Sequence, residues 1–269
     1  MGKSKVNLYQ VVDSSEQEER VDKALRLLGL ECMRTSLHNV VADTASRKEV
    51  TFYDFLENLL EKELSFREDS RITRWTLQAR FPCRKTIQDF DFSYQPELDE
   101  RLVNELASCR FIDRAENIVF FGPPGVGKTH LATALGLEAI NKGYEVKFLT
   151  LTQLIDSIEK TSPGEGLRRL FNSLIRQDLL IIDEVDLYEA SRSAADFIFK
   201  LCQQRYENKS TIFTSNRGFE DWDKVFGNPA RASAIVDRII HHGTIITING
   251  NSYRLKDKVS KSLQETKVV

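Results

Sequence analysis

The chain has 269 residues, 41% of them hydrophobic, and a formal net charge of −2. This length and apolar share allow one large or two modest domains, and no apolar run is long enough for a membrane span or a secretory leader. Cys32, Cys83, Cys109 and Cys202 stand far apart with no CxxC spacing, which speaks against a zinc site or a disulfide framework and for a reducing cytoplasm.

Residues 1–15 read as a flexible tail. Val21, Ala24, Leu25 and Leu28 recur at helical spacing and predict a helix ending near Gly29. A second helix is expected from Thr51, with Asp54 as a capping partner and an apolar face of Phe52, Phe55, Leu56, Leu59 and Leu60. A third is expected over 69–79, before Phe81-Pro82. Residues 16–83 therefore read as a small all-α domain, either a self-contained bundle or a docking face for a partner. The segment from Arg71 to Lys85, across its end, carries Arg71, Arg74, Arg80, Arg84 and Lys85 with no acidic residue between them, and Trp75 and Phe81 interleaved. Such a segment suits a nucleic-acid backbone or, equally, a solvated helix face with aromatics packed inward.

Residues 84–94 read as a connector and 95–107 as a helix entering the second domain, 84–256. From there strand and helix patterns alternate, with strands expected at 117–121, 145–150, 178–182, 210–214 and 244–248. This is the pattern of a parallel sheet covered on both faces. The rest, 257–269, reads as a tail.

The second domain opens with GPPGVGKT at Gly122–Thr129, directly after an apolar strand and before a helix. Gly122, Pro123, Pro124, Gly125, Val126 and Gly127 would wrap backbone N–H groups around a β-phosphate. Lys128 would reach the β- and γ-phosphates, the Thr129 hydroxyl would ligate Mg²⁺, and His130 would lie beside the bound nucleotide. The run LLIIDE, Leu179–Glu184, puts Asp183 at a strand end as a second metal holder and Glu184 beside it as the base for an attacking water. The strand pattern EVKFLTL falls between these two motifs and is expected to insert between their strands. Asn216 ends the next strand, where it would meet the water or the γ-phosphate. Arg238, or its rival Arg231, would serve a neighbouring subunit's γ-phosphate. His241 and His242 adjoin with no further ligand type flanking them, so no metal is assigned to the pair.

Five segments carry a family resemblance: ARFPCRKTIQDFDF (79–92), FGPPGVGKTHLATALG (121–136), LLIIDE (179–184), TSNRGFEDW (214–222) and DRIIHHGTIITINGNSYRLK (237–256). On these the chain resembles the IstB/DnaC-like branch of the AAA+ ATPases, over about residues 20–256, and within it the insertion-sequence helpers. The resemblance implies a P-loop AAA+ fold of the additional-strand, catalytic-glutamate kind, α/β with helices on both sheet faces and no helical lid. It implies an enzyme that hydrolyses ATP with Mg²⁺, with Lys128, Glu184, Asn216 and Arg238 as its catalytic set. It implies an ATP-driven homo-oligomer on double-stranded DNA, a transposase of the same element as partner, and no membrane. Lys160, Arg168 and Arg169 fall where this branch lines a DNA channel. The alternative within the branch is a replicative helicase loader acting on single strands.

Overall fold

The computed structural model describes residues 14–47, 50–185, 190–226 and 228–255. The tail read at 1–15 lies outside them except for Ser14 and Ser15, and the tail at 257–269 lies outside them altogether. Packing divides the chain into two compact units, Met1–Arg71 and Ile72–Val269.

The first unit holds α1 (Ser14–Leu27), α2 (Glu31–Ser46) and most of α3 (Phe52–Ala79). Thr51 caps α3 reciprocally with Asp54: Thr51 Oγ1 accepts from Asp54 N at 3.2 Å, and Asp54 Oδ2 accepts from Thr51 N at 2.8 Å. The two helices expected within 51–79 are one. Asp69 and Ser70 resemble a helix start, but nothing around them breaks the backbone, and the ion pairs Arg67–Glu63 and Arg71–Glu68 run through the proposed gap. Helix α2 was not expected. It buries only Met33 and Val40, and Glu63 of α3 secures its start by accepting from Met33 N at 3.0 Å. Leu25, Met33, Val40 and Leu59 form this unit's core.

The second unit continues through α4 (Glu100–Leu106), α5 (Arg110–Asp113), β1 (Asn117–Phe121), α6 (Lys128–Asn141), β2 (Val146–Thr150), α7 (Leu151–Lys160), α8 (Glu165–Ile175), β3 (Leu179–Asp183), α9 (Arg192–Arg205), β4 (Ser210–Ser215), α10 (Trp222–Phe226), α11 (Pro229–His241) and β5 (Gly243–Thr247). The strands form one sheet in the order β2-β3-β4-β1-β5, with every pairing parallel. Alternate residues serve opposite faces. Ile118, Phe120, Leu179, Ile181 and Ile212 join one core with α6, while Val119, Leu180, Ile182 and Phe213 join another with α7, α9 and α11. A sheet buried on both sides needs the unbroken apolar strands that the sequence displays.

The expected insertion of EVKFLTL between the loop strand and the acidic strand is corrected. β2 is an edge strand, and β4 is the strand that separates β1 from β3. Sequence order says which strand follows which, but not on which side a crossover returns. Among the described residues, β5 is followed by an extended stretch and a short 3-10 turn at Tyr253–Leu255, with no helical lid. No described helix is long and apolar enough to cross a membrane.

Candidate active site

The loop between β1 and α6 turns through left-handed backbone at Gly125 (φ 85°) and Gly127 (φ 107°). Both glycines are also hemmed in. A side chain at Gly125 would run into Ser252, and one at Gly127 into the Phe90 ring, so glycine is required by conformation and by space. The backing comes from two segments remote in sequence. Tyr253 N donates to Gly125 O at 2.9 Å, and Phe90 packs edge-on to His130 at 5.2 Å. His130 Nε2 lies 2.7 Å from Thr86 O. Burial lowers the His130 pKa more than the Thr86 carbonyl raises it, so the ring is neutral at pH 7.

Lys128 opens α6 and is buried. Its Nζ donates to Gly122 O (2.6 Å), Pro123 O (2.9 Å) and Asn216 Oδ1 (2.7 Å), so the strand-end asparagine and the loop lysine meet directly. Thr129 Oγ1 faces both Asp183 oxygens, at 2.9 and 3.1 Å, and Thr214 Oγ1 donates to the same carboxylate. Burial pushes the Asp183 pKa up, and the hydrogen bonds from Thr214 and Thr129 together with the charge of Lys128 pull partly against it. A hydroxyl and a carboxylate, both hard oxygen donors, sit together at the end of β3. They fit a Mg²⁺ ion better than a soft metal.

Glu184 follows in left-handed backbone (φ 56°), its N–H donating to Thr214 Oγ1 at 3.0 Å. Such backbone is costly for a residue with a Cβ. Here it turns an exposed carboxylate into the pocket while Asp183, one residue earlier, stays buried.

Lys128, Thr129, His130, Glu184, Thr214 and Asn216 line a cavity of about 480 Å³, in the range that takes a nucleotide-sized ligand. Its other wall is supplied by residues to which the sequence assigned no such place: Pro82, Asp89, Phe90, Tyr253 and Arg254. The segment read as a connector is thus part of the cavity, and Lys85, read as a DNA contact, lines it too. The aromatic spacing of FDF was the available signal. Nothing in the sequence joins Arg254 to the loop.

The remaining candidates lie elsewhere. Arg238 sits beside the starts of β1 and β4, lining a small cleft with Asn117 and Thr211. Its Nη1 donates to Ala234 O at 2.9 Å, and its guanidinium lies 6.0 Å from the Phe199 ring. The phosphate loop leaves the other end of β1, a strand's length away at roughly 3.3 Å per residue. Arg231 is ion-paired with Asp196. Arg71 pairs with Glu68, Lys160 with Asp156 and Arg169 with Glu165. Arg74, Arg80, Arg84 and Arg168 are exposed.

The sequence model of the IstB-like ATP binding protein family matches residues 23–261. A protein of Pseudomonas aeruginosa named as an ATP-binding protein of insertion sequence IS21 is 42% identical over 216 residues, 80% of this chain and 82% of its own. One of Geobacillus stearothermophilus, named for insertion sequence IS5376, is 37% identical over 250 residues, 93% of this chain and 98% of its own. Among solved structures, AMPPCP-bound DnaA from Aquifex aeolicus superposes with a TM-score of 0.54 at 22% identity, over 71% of this chain and 58% of that one. That likeness bears on the fold, a P-loop AAA+ sheet.

Proposed function

The chain belongs to the family of IstB-like ATP binding proteins, and from that premise we propose that this ATPase assembles on double-stranded DNA as an ATP-driven oligomer and acts as a transposition helper, choosing the target and recruiting and activating the transposase of the same insertion sequence. The observation that carries the reading is a division of labour across the sheet. One end of β1 leads into the lysine, asparagine, threonine and acidic pair, and Arg238 stands at the other end. An arginine there cannot serve its own nucleotide, so it would complete the site of an adjacent subunit and tie turnover to assembly.

Within one subunit, Lys128 would hold the β- and γ-phosphates and Asn216 would report on the γ-phosphate. Glu184 would accept a proton from the attacking water, so that ATP and water yield ADP and phosphate. Thr129 and Asp183 would hold Mg²⁺, which supplies charge neutralisation on the phosphates. His130 and Arg254 would flank the nucleotide. Lys85, lining the same cavity, becomes a nucleotide contact rather than a DNA contact. The helical region, 16–83, would serve as the partner or DNA module. Arg71 and the exposed Arg74 and Arg80 remain candidate phosphate-backbone contacts of that region, and the exposed Arg84 and Arg168, with Lys160 and Arg169, those of the ATPase domain.

Sedimentation of the Glu184→Gln protein with ATP on matched duplex and single-stranded DNA tests the reading. Long-lived assemblies on duplex are expected. A preference for single strands would favour a helicase loader, and absence of assembly on either would overturn the proposal.

A further inference from the structure

At the end of the sheet away from the phosphate loop, helices α9 and α11 end side by side. The last residue of α11 is His241, and His242 caps it (φ −127°, ψ 54°) with its carbonyl held by Asn117 N at 2.7 Å. Helix α9 ends at Arg205, capped by Tyr206. Glu207 follows in left-handed backbone at φ 58°. These turns bring to the histidine pair a third ligand type that adjacency in the sequence did not supply. One ring nitrogen of each histidine and one oxygen of Glu207 all lie within 4.8 Å of one another. His242 Nε2 is 3.2 Å from Glu207 Oε1, and the two imidazoles stand edge to face at 4.2 Å.

We propose that Glu207, His241 and His242 form a binding site for a borderline divalent cation of the Zn²⁺ class. Two imidazoles and a carboxylate are a donor set such ions take in four-coordinate geometry with one position open to water. Tyr206 Oη lies 3.0 Å from His241 Nδ1. With that hydroxyl accepting from Nδ1–H, Nε2 keeps its lone pair for a metal, the outer-shell arrangement that fixes the tautomer of a ligating histidine. Both helices also direct their C-terminal, partially negative ends at this corner, which favours a cation over an anion. The exposure of Glu207 and His241 leaves an entry path. A bound ion would pin the end of α11 to the turn after α9. Arg238 lies one helical turn before His242, so the ion would steady the arginine offered to a neighbour. The site does not depend on the nucleotide reading.

The test is calorimetric titration of the full-length, chelator-treated protein with Zn²⁺. Excess Mg²⁺ and ADP are present to occupy Thr129 and Asp183, and Co²⁺ serves as a spectroscopic probe. One saturable equivalent is expected, with a Co²⁺ spectrum free of thiolate charge transfer and a Tm that rises on binding. Glu207→Gln and His242→Gln should each weaken affinity at least tenfold, and Tyr206→Phe, which leaves every ligand in place, about tenfold. Should a ligand variant fail to fold, the Tyr206→Phe protein and the Co²⁺ spectrum still decide. Absence of a saturable equivalent, a thiolate spectrum, or affinity unchanged in these variants would overturn the proposal.

Discussion

Two buried cations, Lys128 and Arg205, lie at opposite strand ends of the same sheet and have opposite surroundings. Lys128, 7% exposed, adjoins a cavity of about 480 Å³. Its partners, two loop carbonyls and Asn216, leave it pointing along the route a phosphate chain would take. Arg205, 2% exposed, borders a cleft of only about 10 Å³. Its guanidinium donates to the carbonyls of Leu174 (2.8 Å), Gln177 (2.9 Å) and Ser210 (2.5 Å) and to Thr211 Oγ1 (3.1 Å). Burial lowers its pKa to about 10, which still leaves it charged at neutral pH. Burial of a charge is therefore no mark of catalysis by itself. What separates the two is free volume and whether the partners can be exchanged.

The comparison breaks most visibly at a residue that shares Arg205's end of the sheet without sharing its role. Arg238→Ala should fold and bind ATP normally yet lose turnover in the assembled state by about 10³–10⁵-fold. Single-turnover assays on DNA check this, and unchanged rates would return the trans role to Arg231 or remove it. Next in size, Arg205→Met would strand several carbonyls and should lower unfolding free energy by about 3–5 kcal/mol in urea titration. Nucleotide affinity of the folded protein should stay as before, and a loss of affinity without a loss of stability would reverse the assignment of the two cations. Lys128→Ala should do the opposite, cutting ATP turnover at least about 10²-fold while moving the urea midpoint far less than Arg205→Met. The finest test is Arg254→Ala, expected to weaken ATP binding about tenfold, or about 1.4 kcal/mol, in a fluorescent-nucleotide titration. No change there would place the side chain outside the working pocket.

The same contrast explains what was legible in the sequence. Lys128 stands in a spaced motif between an apolar strand and a good helix, and all five strands were readable because a doubly covered sheet demands unbroken apolar runs. Arg205 carries no motif, since its partners are main-chain carbonyls that any residue supplies. The order of strands was only partly readable, because the choice between β2 and β4 as the neighbour of β3 on the β1 side is made by crossover packing. Helix α2 escaped notice because Thr, Ser, Asn and Val are middling helix formers, and it owes its place to Met33, Val40 and the Glu63 bond. The C-terminal part of the far wall, Tyr253 and Arg254, was unreadable because contacts between segments so distant leave no periodic trace.

The phosphate loop is backed by one segment made before it, at Phe90, and by another made only after every strand of the sheet, at Ser252 and Tyr253. Ser252 and Tyr253 close over Gly125 only after every strand has been translated. A nascent chain halted after β4 would carry the whole GPPGVGKT motif and the Phe90 side of its backing, and still lack the Ser252–Tyr253 side. Nonsense truncations ahead of Ser252 would keep the motif and lose the contacts of Ser252 and Tyr253 that hem in Gly125.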